Sequence, residues 1–267
     1  MTDKYLVEKD LYNRPPVTKG SAQWGYFWDA DLMDYLLELR NAALRQWAER
    51  LLRDKSILIL GAGLRDVKFC RSYSARLTAV NISESRIRDI KEFAPEVETI
   101  CADITKLPQT RQYDVIFCDA ILHHLVDDLD AMLASMARWL TPDGIVFIHT
   151  EPLRLNPLLI IGRRFFPSQF HTPNEQPLVL LKFRRQVAKH FTIVHQRCDF
   201  CLTMLYVVAI RVTRLNSLRW IKKMSFPVLR LLYAVDRLIS FTPINELHWH
   251  FAMVLRKKQP LAPPASR

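Results

Sequence analysis

Four groups of residues have types and spacings suited to chemistry. Gly61-Ala62-Gly63 follows the apolar run Ile57-Leu58-Ile59-Leu60. Glycine lets a chain turn tightly at a strand end and lets a ligand approach the backbone, and a helix that follows offers free amide donors. His123 and His124 come shortly after Asp119, which closes another apolar run. An imidazole that titrates near neutrality is suited to take a proton from a substrate hydroxyl. The plainer alternative is one packed and one solvated histidine. Glu151 ends a third run, where it would either orient a substrate or close a turn before Pro152. Cys198-x-x-Cys201 has His195 nearby but lacks a second ligand pair for tetrahedral zinc and the context of a redox motif. Packed thiols are expected there, and no metal site is identified.

The elements that must position these groups alternate. Residues 29–52 carry Leu32, Tyr35, Leu36, Leu39, Ala43 and Trp47 on one helical stripe. Short apolar runs at 56–60, 76–82, 97–101, 113–118 and 145–149 read as strands covered on both faces. Helices are expected at 83–93, with Ser83 as the N-cap, and at 129–140, followed by a turn at 141–144. This alternation predicts an α/β fold with a parallel, doubly wound sheet. Beyond Glu151, residues 152–177 hold five prolines and read as an extended loop or lid. A helix at 176–190, a strand at 191–198, a helical segment at 217–241 split by Pro227, and a last strand at 248–256 complete the pattern. Trp24, Tyr26, Phe27 and Trp28 precede the first helix, as a lid over a ligand or a staple to the core. The tail after Lys258 reads as disordered.

With 267 residues, 49% hydrophobic and 24% charged, the chain has ample material for one core with an appended segment. The longest apolar stretch, 201–210, is too short to span a bilayer. The charged N-terminus lacks an apolar signal region and the five cysteines read as reduced thiols, so a cytoplasmic location is expected. Residues 1–150 hold 19 Lys and Arg against 22 Asp and Glu, net −3, whereas 151–267 hold 19 against 5, net +14. That field favours anionic lipids, phosphates or nucleic acid, or else marks a solvated face. Nucleic acid is the less favoured partner, because the basic region is strongly apolar. It mixes Leu158–Ile161 with Arg163 and Arg164, and Trp220, Ile221, Met224 and Leu229 with Arg219, Lys222, Lys223 and Arg230. Apolar residues among cations suit a helix lying at a membrane interface, or a cap over an apolar substrate.

The runs ILILGAG, LTAVNIS, ICADITKLP and YDVIFCDAILHHL…LTPDGIVFIHTEP, in this order over residues 56–152, resemble the class I S-adenosylmethionine-dependent methyltransferases of small-molecule type. The resemblance implies a Rossmann-like, seven-stranded methyltransferase sheet with helices on both faces and a helical C-terminal insertion. It implies an N-terminal helical lid at 1–52, a cofactor-binding core at 53–152, a substrate cap with the last strands at 153–258, and a tail at 259–267. By the same resemblance S-adenosyl-L-methionine is the cofactor. Gly61, Ala62 and Gly63 would hold its methionine end, Asn81 and Ile82 its ribose, Asp103 and Ile104 its adenine, and Asp119 the turn under the sulfonium. His123, His124 and Glu151 would serve catalysis on a small, apolar or lipid-like acceptor, with peripheral contact to anionic membrane. The family usually has an acid at Ile59, glycine at Arg65 and an acid at Asn81. On this reading Asn81→Asp is expected to tighten cofactor binding.

Overall fold

The computed structural model of the protein describes residues 9, 29–109, 111–165 and 175–258. Among them one sheet is built from β1 (Ile57–Leu60), β2 (Leu77–Asn81), β3 (Glu98–Cys101), β4 (Tyr113–Asp119), β5 (Leu140–Pro152), β6 (Phe191–Asp199) and β7 (His250–Lys257). The spatial order is β3-β2-β1-β4-β5-β7-β6, and only β7 runs antiparallel to its neighbours. Strand order reverses between β1 and β4, so a crevice opens there at the carboxyl ends of the strands. The fully apolar β1 is buried along its whole length, as a central parallel strand must be.

Helices cover both faces. On one, α1 (Ala30–Leu51), α2 (Leu64–Arg71) and α3 (Glu84–Phe93) pack Ala48, Val67 and Ile90 against Ile57, Ile59, Phe117 and Phe147. On the other, α4 (Leu129–Trp139) and α6 (Leu180–Val187) pack Met132, Met136 and Phe183 against Ile116, Ile148 and Phe251. Between them in sequence, α5 (Pro157–Phe165) follows β5. The insertion between β6 and β7 forms α7 (Leu202–Val212) and α8 (Arg219–Ile239), which join α1 through Leu32, Leu36, Met204, Val207, Leu229 and Tyr233.

Except for β5, which is longer at both ends, the strands fall within two residues of the sequence reading, and four features differ from it. The turn expected at 141–144 is a bulge inside β5: Tyr113 pairs with Leu140 but Val115 with Ile145. The proline-rich stretch contains α5, which tolerates Pro157 at its start because the first helical N–H has no partner to lose. Asn156 holds that end, its Oδ1 accepting from Leu159 N at 3.0 Å. The helix at 176–190 starts only at Leu180, where Glu246 accepts from the Leu180 and Leu181 amides at 2.9 and 2.7 Å. Before it, Leu178 forms an isolated parallel bridge with Leu153. Pro227 does not split its helix: α8 runs through it, with proline on the exposed side. The aromatic group at 24–28 and the tail at 259–267 lie outside the described residues.

Candidate functional site

At the crevice, a recess of about 220 Å³ is lined by Gly61, Gly63, Asn81, Ile82, Asp103, Ile104 and Asp119, among others, with Ala62 buried behind them. Gly61 sits at φ +66, and a Cβ there would lie 2.7 Å from Ile121 Cδ1, so only glycine fits. Gly63 is different. Its φ is −119, and a Cβ would meet only side-chain atoms of Asp66 and Arg86, at 3.4 and 3.7 Å, on the side of the recess. Its N–H donates to Asp66 Oδ2 at 2.8 Å, which closes the first turn of α2. Asp103 accepts from Thr105 N and Oγ1 through Oδ1, while its Oδ2 lies 3.4 Å from Lys106 Nζ. At the end of β4, Ala120 takes a left-handed φ of 52, fixed by its N–H donating to Thr150 O at 2.7 Å. A non-glycine residue held there costs free energy that the surrounding bonds must supply.

A buried polar row runs from this recess across the α1 face of the sheet. Asp119 Oδ2 accepts from Arg65 Nη2 at 2.7 Å, and its Oδ1 lies 3.2 Å from His149 Nδ1. Burial opposes ionisation of Asp119, but His149, Arg65 and the buried Arg40 outweigh it and hold the carboxyl well below the usual range. Asp66 goes the other way. Burial and the charge of Asp119 push it up to about 8, so at neutral pH the pair keeps one proton, on Asp66. A carboxyl raised from 3.8 binds its proton more tightly when folded. Its contribution to stability is therefore complete below about pH 4 and is lost as pH climbs to about 8. Asp66→Asn keeps an acceptor for Gly63 and imitates the neutral acid. Relative to this variant, the wild-type Tm should fall by several degrees between pH 5 and about 8. Parallel melting curves would remove the pairing of Asp66 with Asp119.

Glu151 does not reach the recess. It is fully buried and accepts from the amides of Ile121, Leu122 and His123 at 2.9, 2.7 and 3.2 Å, and its Oε2 lies 2.8 Å from His123 Nδ1. It therefore fixes the turn that carries both histidines. His123 and His124 are themselves 5% exposed, with ring centroids 4.2 Å apart, and neither lines the recess. Cys198 and Cys201 are buried free thiols, and burial pushes Cys198 up to about 12. His195 stacks on Trp47 rather than on them.

Residues 41–148, from the middle of α1 to β5, match the model of a methyltransferase domain. Solved structures align over nearly the whole chain. A magnesium protoporphyrin IX methyltransferase from Synechocystis is 12% identical, with 96% of this chain and 100% of that one covered and a TM-score of 0.55. A cyclopropane synthase from Mycobacterium tuberculosis is 15% identical, covering 87% and 88%, also at 0.55. An N-methyltransferase from Bradyrhizobium japonicum, bound to S-adenosylhomocysteine, is 12% identical over 96% and 99%, at 0.55. Comparison with curated proteins gives no match. Over residues 41–148 the chain thus matches a methyltransferase domain, and it shares the fold of these solved structures; S-adenosyl-L-methionine is the cofactor that the sequence resemblance implies.

The recess fits that cofactor in kind. A glycine opens one wall, apolar Ile82, Ile104 and Leu125 form others, and Asn81 and Asp103 supply polar groups. Of the three residues that depart from the methyltransferase pattern, Arg65 and Asn81 line the recess, and the structure gives each a role. Arg65 spans from α2 to Asp119, so a cation stands beside the turn where small residues are usual. Asn81 is engaged at both ends of its amide: Nδ2 donates to Ala62 O at 2.8 Å and Oδ1 accepts from Ser83 N at 2.8 Å. A carboxylate would keep the second bond and turn the first into an oxygen–oxygen repulsion. The sign expected from sequence thus reverses. Asn81→Asp should lower stability by about 1–3 kcal/mol, the cost of stranding a buried acceptor, and weaken cofactor binding with it. Thermal melts and calorimetry check this; tighter binding would restore the simple ribose-acceptor reading of position 81.

Arg40, Asp66, His149 and His250 belong to the site's surroundings but not to the sequence reading. The visible cue was Arg40, a cation in step with Leu32, Leu36 and Leu44 on the buried face of α1. His250 is displaced well below the ordinary histidine range, by burial first and then by the Arg40 charge.

Proposed function

We propose that this methyltransferase transfers the methyl group of S-adenosylmethionine to an apolar, lipid-like acceptor taken from an anionic membrane surface. The observation that carries this reading is the outer face of α8. Trp220, Met224, Leu231 and Leu238, exposed at 68%, 56%, 67% and 71%, follow one side of the helix, and Phe241 continues the line just beyond its end. Arg219, Lys223, Arg230 and Arg237 are exposed on the same helix, whose only acid, Asp236, is buried. A face that tracked nucleic-acid phosphates would need the cations without the apolar row. No helix among the described residues is long and apolar enough to cross a membrane, so contact would be peripheral.

In this reading Gly61, Ala62 and Gly63 admit the methionine end of the cofactor, Asn81 and Ile82 flank its ribose, and Asp103 and Ile104 its adenine. The cofactor supplies an electrophilic methyl group. The chain's part is to position it and exclude water, with the Asp119–Ala120 turn under the reacting centre. Asp119, held ionised by His149, Arg65 and Arg40, stabilises positive charge there. His123 and His124 would act on the acceptor's proton only from the far side of that turn, with Glu151 as their positioning residue. Incubating the protein with radiolabelled S-adenosylmethionine and either a membrane-lipid extract or an aqueous metabolite extract tests the proposal. Label should enter the organic phase. Transfer confined to the aqueous extract would refute the lipid-like acceptor, and no transfer to either would refute the activity.

A further inference from the structure

In the buried cluster behind the Asp119–Ala120 turn the two histidines have a third neighbour, Glu175, that cofactor binding does not use. Glu151 accepts three backbone amides and its Oε2 lies 2.8 Å from His123 Nδ1, so Nε2 is the ring nitrogen turned away from it. Nε2 lies 3.8 Å from Glu175 Oε1, a second acceptor. A ring nitrogen of His124 completes a trio in which one donor atom from each residue lies within 4.8 Å of the others. His123 and His124 are 5% exposed, and the Glu175 side chain is 11% exposed.

We propose that His123, His124 and Glu175 bind a divalent metal ion of the zinc type. Imidazole and carboxylate are its preferred nitrogen and oxygen ligands, at about 2.0–2.1 Å, which in a tetrahedron separates donor atoms by about 3.4 Å. Glu151 then does what carboxylates commonly do behind a metal-bound histidine, orienting the ring through its other nitrogen. The backbone is also prepared: Gln176 N–H donates to His123 O at 2.8 Å, and Leu178 N–H to Pro152 O at 3.0 Å, so the segment after Glu175 is laced to the histidine turn and to the end of β5. Three protein ligands leave a fourth position open for water or, on the function proposed above, for an acceptor oxygen. Sequence reading missed the set because Glu175 lies more than fifty residues beyond the histidines and no spacing rule joins them.

The test is titration of tag-free, metal-stripped full-length protein with Zn²⁺ alone, followed by calorimetry and melting. One ion per chain is expected, with a Kd in the micromolar range or below, and a Tm that rises with Zn²⁺ and returns on chelation. Glu175→Gln and His124→Ala should each weaken binding by at least about 100-fold, whereas Cys198→Ser with Cys201→Ser should leave it unchanged. Co²⁺ bound to the wild type reads the ligand set without any variant: tetrahedral visible bands without thiolate charge transfer are expected. Absence of stoichiometric Zn²⁺, its retention by both variants, or a thiolate signature would overturn the site. None of these readouts involves methyl transfer, so they stand or fall apart from the proposed activity.

Discussion

Gly63→Val is expected to lower affinity for S-adenosylmethionine by at least about 100-fold, close to 3 kcal/mol, while the fold persists. The backbone there is extended, at φ −119 and ψ 173, a conformation that valine adopts freely. Its Cβ would meet Asp66 and Arg86 side chains at ordinary distances, so the protein has room for it. The branched methyl groups would fill the recess instead. Gly61→Ala is the contrasting variant. At φ +66, and with Ile121 2.7 Å from the added carbon, it should lose stability by about 1–3 kcal/mol as well as affinity. Calorimetry beside thermal melts separates the two effects. Undiminished affinity in a folded Gly63→Val protein would remove the cofactor from this recess.

That contrast shows how far the sequence could be read. Glycines at 61 and 63 are visible as a pair at a strand end, and their order within the alternating runs is enough for the sheet and the crevice. What the sequence hides is that one glycine is required by the fold and the other by open space. The difference lies in Ile121, sixty residues away. Glu151 illustrates a similar limit. Its position after a strand is legible, but its four hydrogen bonds converge from a turn thirty residues earlier, and they make it an anchor rather than a group facing substrate. Arg40 and His250 escape notice because each is a polar residue inside an apolar periodicity, explained only by charges from other elements. Pro227 misleads for a local reason: α8 exposes the side from which the proline ring projects, so the helix continues past the missing N–H.

The same kind of long-range pairing decides what the basic half of the chain shows to its surroundings. It has five acids, and the structure turns them inward. Glu151 anchors the histidine turn, and Glu246 caps α6. Asp199 pairs with Arg197 at 2.7 Å, and Asp236 accepts from the amides of Cys201, Leu202 and Thr203 at the start of α7. Glu175 faces the histidines. Of the cations of α8, Arg219, Lys223, Arg230 and Arg237 remain outside with the apolar row, whereas Lys222 is taken up by Asp29 and Asp31 at 3.2 and 2.6 Å. Lys222 therefore has no place in the test. Replacing Arg219, Lys223, Arg230 and Arg237 together by glutamine removes four exposed charges, each contributing about 1 kcal/mol near an anionic surface. Binding to phosphatidylserine-containing vesicles should fall by roughly 1000-fold, with affinity for S-adenosylmethionine unchanged. Trp220→Ala should weaken binding by a smaller, salt-insensitive amount, because its share is apolar burial rather than charge. Wild-type protein should bind neutral phosphatidylcholine vesicles poorly and release anionic ones as salt rises. Equal binding to both, or none to either at low salt, would leave the α8 face without a membrane role. In that case the row of cations and apolar side chains would have to be explained by another occupant of the same helix.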